Sequence, residues 1–462
     1  MSDWKELPLN DVIELVIDHR GKTPKKLGFD DFFSEGYPVL SAKHVKTSGL
    51  VNLDAMRFAN EEMYKKWMKE PTQKGDVILT SEAPLGELFY IDGSKKYVLG
   101  QRVFGLRPKS DVLDSMYLLV WLSSAEGQGR LQARATGSTV QGIKQSELLK
   151  IMIPIPPMEV QKDIASIYGS LDQKIQLNTQ TNQTLEQIAQ SLFKSWFVDF
   201  DPVRAKVQAL SDGLSLEQAE LAAMQAISGK TPEELTTLSQ TQPERYAELA
   251  ETAKAFPCEM VEVDGVEVPK GWNLKALSDL GQIICGKTPS KSNKEFYGND
   301  VPFIKIPDMH NQVIITQTTD NLSVAGANSQ SKKYIPPKSI CVSCIATVGL
   351  VSMTSKPSHT NQQINSIIPN DEQTSEFLYL SLKQSSMTKY LKDLASGGSA
   401  TLNLNTSTFS KIEIMTPSKE IIDIFHNKVV SIFEKILSNS IENKKLSEIR
   451  DLLLPRLLNG EI

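Results

Sequence analysis

Few side chains in this 462-residue sequence stand at spacings that chemistry demands, and testing those few narrows what the chain can do. Gly281-Gln282-Ile283-Ile284-Cys285-Gly286-Lys287-Thr288 fits the G-x-x-x-x-G-K-[ST] pattern of a phosphate-wrapping loop. Its inner residues are apolar and β-branched rather than small, Pro289 follows at once, and no later strand ends in paired carboxylates that could hold magnesium. Nucleotide binding is disfavoured. Cys341 and Cys344 form a single CxxC, but residues three apart on a strand point to opposite faces, so the thiols diverge and read as buried strand cysteines. No second CxxC or close histidine pair completes a zinc site, and His19, His44, His310, His359 and His426 are scattered. No Ser, Cys or Asp stands in a nucleophilic setting, and Gly127-Gln128-Gly129 lacks the third glycine of a dinucleotide fingerprint. We therefore expect no catalytic residue, no metal and no cofactor on this chain.

What remains is a set of polar, glycine-bearing loops that occur twice. Gly21-Lys22-Thr23-Pro24 returns as Gly286-Lys287-Thr288-Pro289, and Gly137-Ser138-Thr139-Val140-Gln141-Gly142 returns as Gly398-Ser399-Ala400-Thr401-Leu402-Asn403. For the glycines, the simpler reading is a turn that needs positive φ. For the lysines, hydroxyls and amides, the chemistry is phosphate contact, with side chains reaching base edges. On that reading the nucleic-acid-contacting candidates are Lys22, Thr23, Lys43, Lys46, Arg102, Ser138, Thr139, Gln141 and Lys144, with His44 and Arg134 nearby. In the second half they are Lys287, Thr288, Lys305, Gln362, Ser399 and Asn403.

The elements that position these loops are themselves repeated. Trp4, Leu9 and Asp11 return as Trp272, Leu277 and Asp279; Tyr37-Pro38-Val39-Leu40 returns as Val301-Pro302-Phe303-Ile304; Gln101 with Pro108 returns as Gln362 with Pro369. The strand before Gly86 returns before Gly349, and Lys150-Ile151 returns as Lys411-Ile412. Within each copy, short apolar runs read as strands, in the first at Tyr37 to Leu40, Asp76 to Thr80, Tyr97 to Leu99 and Val103 to Leu106. Asn60 to Met68 and Ser115 to Leu131 read as helices, and the prolines of Met152 to Met158 impose an extended boundary.

A long amphipathic helix follows each copy. Apolar residues recur at Ile164, Ile167, Leu171, Ile175, Leu185, Ile188, Leu192 and Trp196, and again 261 residues later through Ile432, Ile436, Leu446, Ile449, Leu453 and Leu457. A polar gap repeats with them: Asn178 and Asn182 become Asn439 and Asn443. Antiparallel packing about the two midpoints would set Asn178 opposite Asn443 and Asn182 opposite Asn439. Such a cluster, with Leu185 and Leu446 beside it, would fix register at some cost in stability; a solvated polar stretch is the alternative.

Between the copies, residues 199 to 267 hold 14 acidic against 5 basic side chains, leaving a mildly basic remainder of 45 against 41. That remainder permits a phosphate-binding face. The insert reads as two or three short helices, such as Ser215 to Ile227 and Pro243 to Ala255, or as a charged linker. Four cysteines are too few for a disulfide framework, and no run approaches the ~20 apolar residues of a membrane span, so a cytoplasmic chain is expected.

Residues 1–156, 157–198, 199–268, 269–416 and 417–462 thus predict first globule, first helix, acidic insert, second globule and second helix. The fold class is α+β: two homologous α/β globules separated by two long antiparallel helices with pseudo-twofold symmetry. This layout resembles the specificity subunits of type I restriction-modification systems over nearly the whole chain. The stretches that carry the resemblance are Ile153 to Gln161, Ser195-Trp196-Phe197-Val198-Asp199-Phe200-Asp201-Pro202, Pro269-Lys270-Gly271-Trp272, and Leu453-Leu454-Pro455-Arg456-Leu457-Leu458-Asn459-Gly460. The resemblance implies two target recognition domains, each reading one half of a split, asymmetric site on double-stranded DNA. It also implies helices that set the spacer and dock methyltransferase (M) subunits, two of them, with restriction (R) subunits joining through the complex. Methyl donor and nucleotide would then belong to those partners. A helix of ~30 residues spans ~45 Å, enough to serve major-groove faces ~34 Å apart. The chain departs from the pattern at Ile421 to Asp423, which lacks an equivalent of Gln161, and in its longer insert. A protein-binding scaffold with two repeated domains is the competing class, and a single-chain restriction enzyme is disfavoured by the missing motifs.

Overall fold

The computed structural model describes residues 4–47, 49–137, 140–263, 265–396 and 402–461. The chain divides into two units, Met1–Ile175 with Lys445–Ile462, and Gln176–Lys444.

In the first unit, Lys5–Pro8 pairs antiparallel with Met152–Ile155, so the proline-rich passage is a strand that closes the globule's two chain ends. Ile13–Asp18, Val103–Pro108, Val77–Ser81 and Leu85–Tyr90 form a four-stranded sheet in that order. Its two faces follow from strand alternation. Val77 and Leu79 face a core with Leu118, Trp121 and Leu122, whereas Ile78 faces a second core with Leu40, Met63, Trp67 and Leu99. The helix expected over Ser115 to Leu131 is two helices, Ser115–Ser123 and Ala125–Ala133. Ser124 takes extended φ and ψ and its hydroxyl accepts from the Gly127 amide, 3.1 Å, so a capping residue breaks what periodicity alone reads as continuous.

The first long helix, Met158–Phe197, and the second, Lys419–Leu458, each run 40 residues. At the globule end of the first, Gln161 is buried; its amide oxygen accepts from the Asp114 amide, 2.8 Å, and its nitrogen donates to the Val112 and Pro156 carbonyls. Where the second helix lacks this glutamine, Ile421 and Ile422 are buried instead. Ile164 and Tyr168 join Leu457 and Leu458 in the first unit's core. The apolar stripe is narrower than its spacing suggests. Ile167, Ile188 and Ile449 are exposed, because a partner helix covers only part of the face that an i, i+3, i+4 pattern marks out.

In the second unit, Asn273–Ala276 pairs with Glu413–Thr416 as Lys5–Pro8 does with Met152–Ile155. A five-stranded sheet runs Gly281–Cys285, Ile364–Pro369, Ile340–Ser343, Val351–Thr354, Ile314–Ile315. A smaller sheet sets Tyr297–Ile304 between Asp320–Leu322 and His359–Thr360. Phe197 and Phe200 pack on Trp272 at ring distances of 5.8 and 5.5 Å, and Trp196 packs on Phe256 and Phe425 at 5.0 and 5.7 Å, which accounts for the aromatic residues of the two middle hallmark stretches.

The acidic insert holds four helices rather than two or three: Asp201–Ser211, Leu216–Ser228, Pro232–Thr241 and Pro243–Ala255. Ser215 with Gln218 and Thr231 with Glu234 form capping boxes. A small core of Ala223, Met224, Leu235, Leu249 and Ala253 holds them. Lys206 is buried here, and its ammonium donates to the Phe256 carbonyl at 2.6 Å.

Candidate nucleic-acid interface

In the first globule the Gly-Lys-Thr-Pro turn places Gly21 at φ 93°, where glycine is the unstrained residue. Gln101 fastens this turn: its side-chain nitrogen donates to the Lys22 carbonyl at 2.8 Å and its oxygen accepts from the Gly21 amide at 3.3 Å. The Lys22 ammonium donates to the Trp67 carbonyl at 2.6 Å. Burial, and then the charge of Lys69, hold its pKa below the ordinary lysine value. A cleft of about 670 Å³ gathers Lys22, Thr23, Lys43, His44, Arg57 and Gln101.

Two further candidate cations of this globule are held by carboxylates. Lys46 pairs with Glu87 at 2.8 Å, and Arg102 with Glu82 at 3.0 Å. Burial works to raise the Glu87 carboxyl, but bonds from Lys46 and Thr47 outweigh it and keep it below its usual range. Arg102 takes φ 65°, a left-handed conformation. Gln141 and Lys144 are exposed, and between them the Ile143 amide donates to the Ser81 carbonyl, 2.9 Å. Ser138 and Thr139 lie outside the described residues.

In the second globule Lys287 is exposed, and its amide donates to the Thr360 carbonyl, 3.0 Å. The Thr288 hydroxyl donates to the side-chain oxygen of Gln362, 2.6 Å, so both globules tie this turn to the equivalent glutamine. Gly286 differs from Gly21 and from the expectation of positive φ. It is glycine because a Cβ would stand 2.1 Å from the Asn361 carbonyl oxygen. The Lys305 ammonium bonds Asp320 and lies over the Phe303 ring. Asn403 is exposed and bridges to Ile345; Ser399 lies outside the described residues.

The structure thus gathers Lys22, Thr23 and Lys43 at one cleft and Lys287, Thr288 and Gln362 at one turn, while Lys46, Arg102 and Lys305 each engage an acid. Gln101, Arg57 and Glu82 were not among the sequence candidates. The equivalence of Gln101 to Gln362 was the signal for the first; nothing in the spacing marks the other two.

The asparagines meet within the second unit. Asn178 donates to the Asn443 side-chain oxygen at 2.9 Å and to Glu442 at 2.8 Å. Asn439 donates to Asn182 at 2.8 Å, and Asn182 donates to the Ser440 hydroxyl and the Ile436 carbonyl. Asn178 and Asn439 are buried. Leu185 packs half-buried on the second unit's core, and Leu446, in the first unit, is also half-buried.

The residues with alternative chemistries are structural. Gly281–Cys285 is a sheet strand paired with Ile364–Pro369, which leaves no phosphate-wrapping loop. Cys341 and Cys344 lie in different cores, and burial raises their thiol pKa values to about 12 and about 11. Among the described residues no group of three or more His, Cys, Asp or Glu could hold a metal ion, and no helix is long and apolar enough to cross a membrane.

Comparison with known proteins matches residues 1–187 and 269–451 to the type I restriction modification DNA specificity domain. The chain is 64% identical, over the full length of both, to the type I restriction enzyme HindI specificity subunit of Haemophilus influenzae. It is 24% identical to the MjaIX specificity subunit of Methanocaldococcus jannaschii, covering 100% of this chain and 94% of that one. The crystal structure of a type I restriction-modification S subunit from M. genitalium shares the fold, with a TM-score of 0.52, 15% identity, and coverage of 98% and 96%.

Proposed function

The chain belongs to the family of type I restriction-modification specificity subunits, and on that premise we propose that each of its globules reads one half of a bipartite, asymmetric site on double-stranded DNA. The observation that carries this reading is the twice-built turn. Gly21 to Pro24 and Gly286 to Pro289 are each tied by the equivalent glutamine, Gln101 or Gln362, while the side chains around them differ. Related frames with unequal surfaces suit two different half-sites.

The helix pair sets the spacer and docks methyltransferase subunits, and restriction subunits join through that complex. The chain is non-catalytic and takes no cofactor; methyl donor and nucleotide belong to its partners.

Methylome sequencing of cells with and without this chain tests the reading. A split motif that disappears with the chain is expected, along with duplex binding whose log affinity falls steeply with log salt. No motif and no binding to any duplex, with methyltransferase subunits present, would leave the protein-scaffold alternative.

A further inference from the structure

The chain carries its own alignment of two, and one loop in it is built the same way twice at some conformational cost. Ala83 takes φ 51° and its equivalent Ala346 takes φ 64°. Left-handed backbone is strained for an L-residue, and such residues persist where the surroundings over-determine them. The surroundings do so identically. At the loop base the Thr80 hydroxyl accepts from the Glu87 amide, 2.9 Å, and the Ser343 hydroxyl accepts from the Leu350 amide, 2.9 Å. Gly86 and Gly349 turn the chain back at φ 95° and 93°. The Ile143 amide donates to the Ser81 carbonyl, and the Leu404 amide donates to the Cys344 carbonyl.

The tips differ in what they present and in one local bond, since the Thr347 amide donates to the Ile345 carbonyl, 2.8 Å, where Pro84 has no amide hydrogen. Ala83 and Pro84 are exposed beside half-buried Glu82; Ala346 and Thr347 are exposed beside half-buried Ile345. In the first globule Glu82 also engages Arg102, itself left-handed. A braced backbone that carries exchangeable side chains is how a rigid scaffold presents specificity.

We infer that the tips 82–84 and 345–347 are the homologous base-reading elements of the two globules, and that Glu82 and Pro84 against Ile345 and Thr347 make the half-sites differ. This rests on the reading that the globules recognise DNA. In use, the left-handed alanine aims the flanking side chains at base edges, and the bond to residue 143 or 404 keeps the tip from yielding.

The test exchanges the tips in the full chain, assembled with its methyltransferase subunits and offered a randomised duplex library. Glu82→Ile with Pro84→Thr is expected to lose or change the selected bases in one half of the motif by roughly tenfold or more, leaving the other half intact. Ile345→Glu with Thr347→Pro does the reverse. Folded exchanges that both select the wild-type motif overturn the inference. A wild-type complex that selects no motif defeats the DNA-recognition reading instead. Where an exchange loses cooperative unfolding, the isosteric changes Glu82→Gln and Thr347→Val decide in its place, and an unchanged motif again overturns the inference.

Discussion

The asparagine cluster predicts a particular failure of additivity. Asn439 is 1% exposed, and its nitrogen donates to Asn182 across 2.8 Å. Asn439→Leu keeps the branching and heavy-atom count but strips Asn182 of that donor, a loss of about 1–3 kcal/mol. Asn182→Leu removes the acceptor and two further bonds, to Ser440 and Ile436, at a similar cost. With both replaced, neither leaves the other's polar atom stranded, so the double variant costs less than the sum by about 1 kcal/mol or more. Leucine at Asn178 and Asn443 as well carries the argument further. An apolar seam in place of a buried polar network is neutral or stabilising, as replaced buried ion networks are. Denaturant unfolding of the four chains, at about 1–2 °C per kcal/mol if read thermally, measures the coupling. Strictly additive costs would refute it. If the asparagines also fix register, the four-leucine chain is as stable as wild type, yet its methylated motif acquires mixed spacers. Unchanged stability together with an unchanged spacer would remove the register role.

His359 is fully buried, and neither ring nitrogen has a hydrogen-bond partner among the described residues. Burial lowers its pKa to about 4, and His19 is lowered to about 4 by burial and then by the charge of Lys22. The unfolded chain therefore binds protons near pH 6.5 that the folded chain refuses. Stability is complete above about 6.5 and falls as pH drops toward 4, by up to about 3 kcal/mol for each histidine. His359→Val, which installs the residue found at equivalent Val98, should reduce that acid sensitivity in unfolding midpoints compared at pH 5 and 7.5; an unchanged difference contradicts it. Lys206→Met leaves the Phe256 carbonyl without its buried donor and should destabilise the insert by about 1–3 kcal/mol, seen as faster hydrogen exchange over 201–255 than over the sheets. Lys287→Ala should reduce the slope of log affinity against log salt by about 1, whereas Lys305→Ala, whose charge Asp320 already engages, should reduce it less. Equal slopes for the two would argue against phosphate contact at Lys287.

Much of the scaffold was legible because repetition doubles each weak signal. One strand of Ile and Val is ambiguous, but the spacing of Trp4, Leu9 and Asp11, met again at Trp272, Leu277 and Asp279, marks a strand and short helix that the structure builds twice. Breaks in local geometry were harder to see. Ser124 stops a helix without a proline or a glycine run, and the insert's four helices are set by caps only a few residues apart. The site was legible as residue types and less so as chemistry. Lys22, Lys46, Arg102 and Lys305 read as cations free to meet phosphate, yet each is engaged by a carbonyl or a carboxylate brought from 20 or more positions away or from a neighbouring strand. Spacing along the chain cannot disclose such partners.

The two copies also show which positions the fold itself constrains. Val98 and Leu99 of the first globule are His359 and Thr360 in the second, both fully buried, in a strand that pairs in parallel with Val39–Leu40 or Phe303–Ile304 at the same register. A buried histidine with two unsatisfied nitrogens is a poor substitute for valine on stability grounds alone. The ring of Tyr334, 4.3 Å away, recovers only part of the difference. The strand therefore specifies its pairing and not its side chains, whereas the 80–87 loop keeps its hydroxyl brace, its left-handed alanine and its glycine in both copies while its tip changes. If pairing alone were needed at that loop, glycine would relieve the strain at residues 83 and 346. Ala83→Gly should accordingly leave the unfolding midpoint within a few degrees of wild type while weakening discrimination in one half-site, because the freed tip no longer holds its flanking side chains in one direction. Unaltered discrimination with unaltered stability would reduce the left-handed alanine to an accident of the repeat.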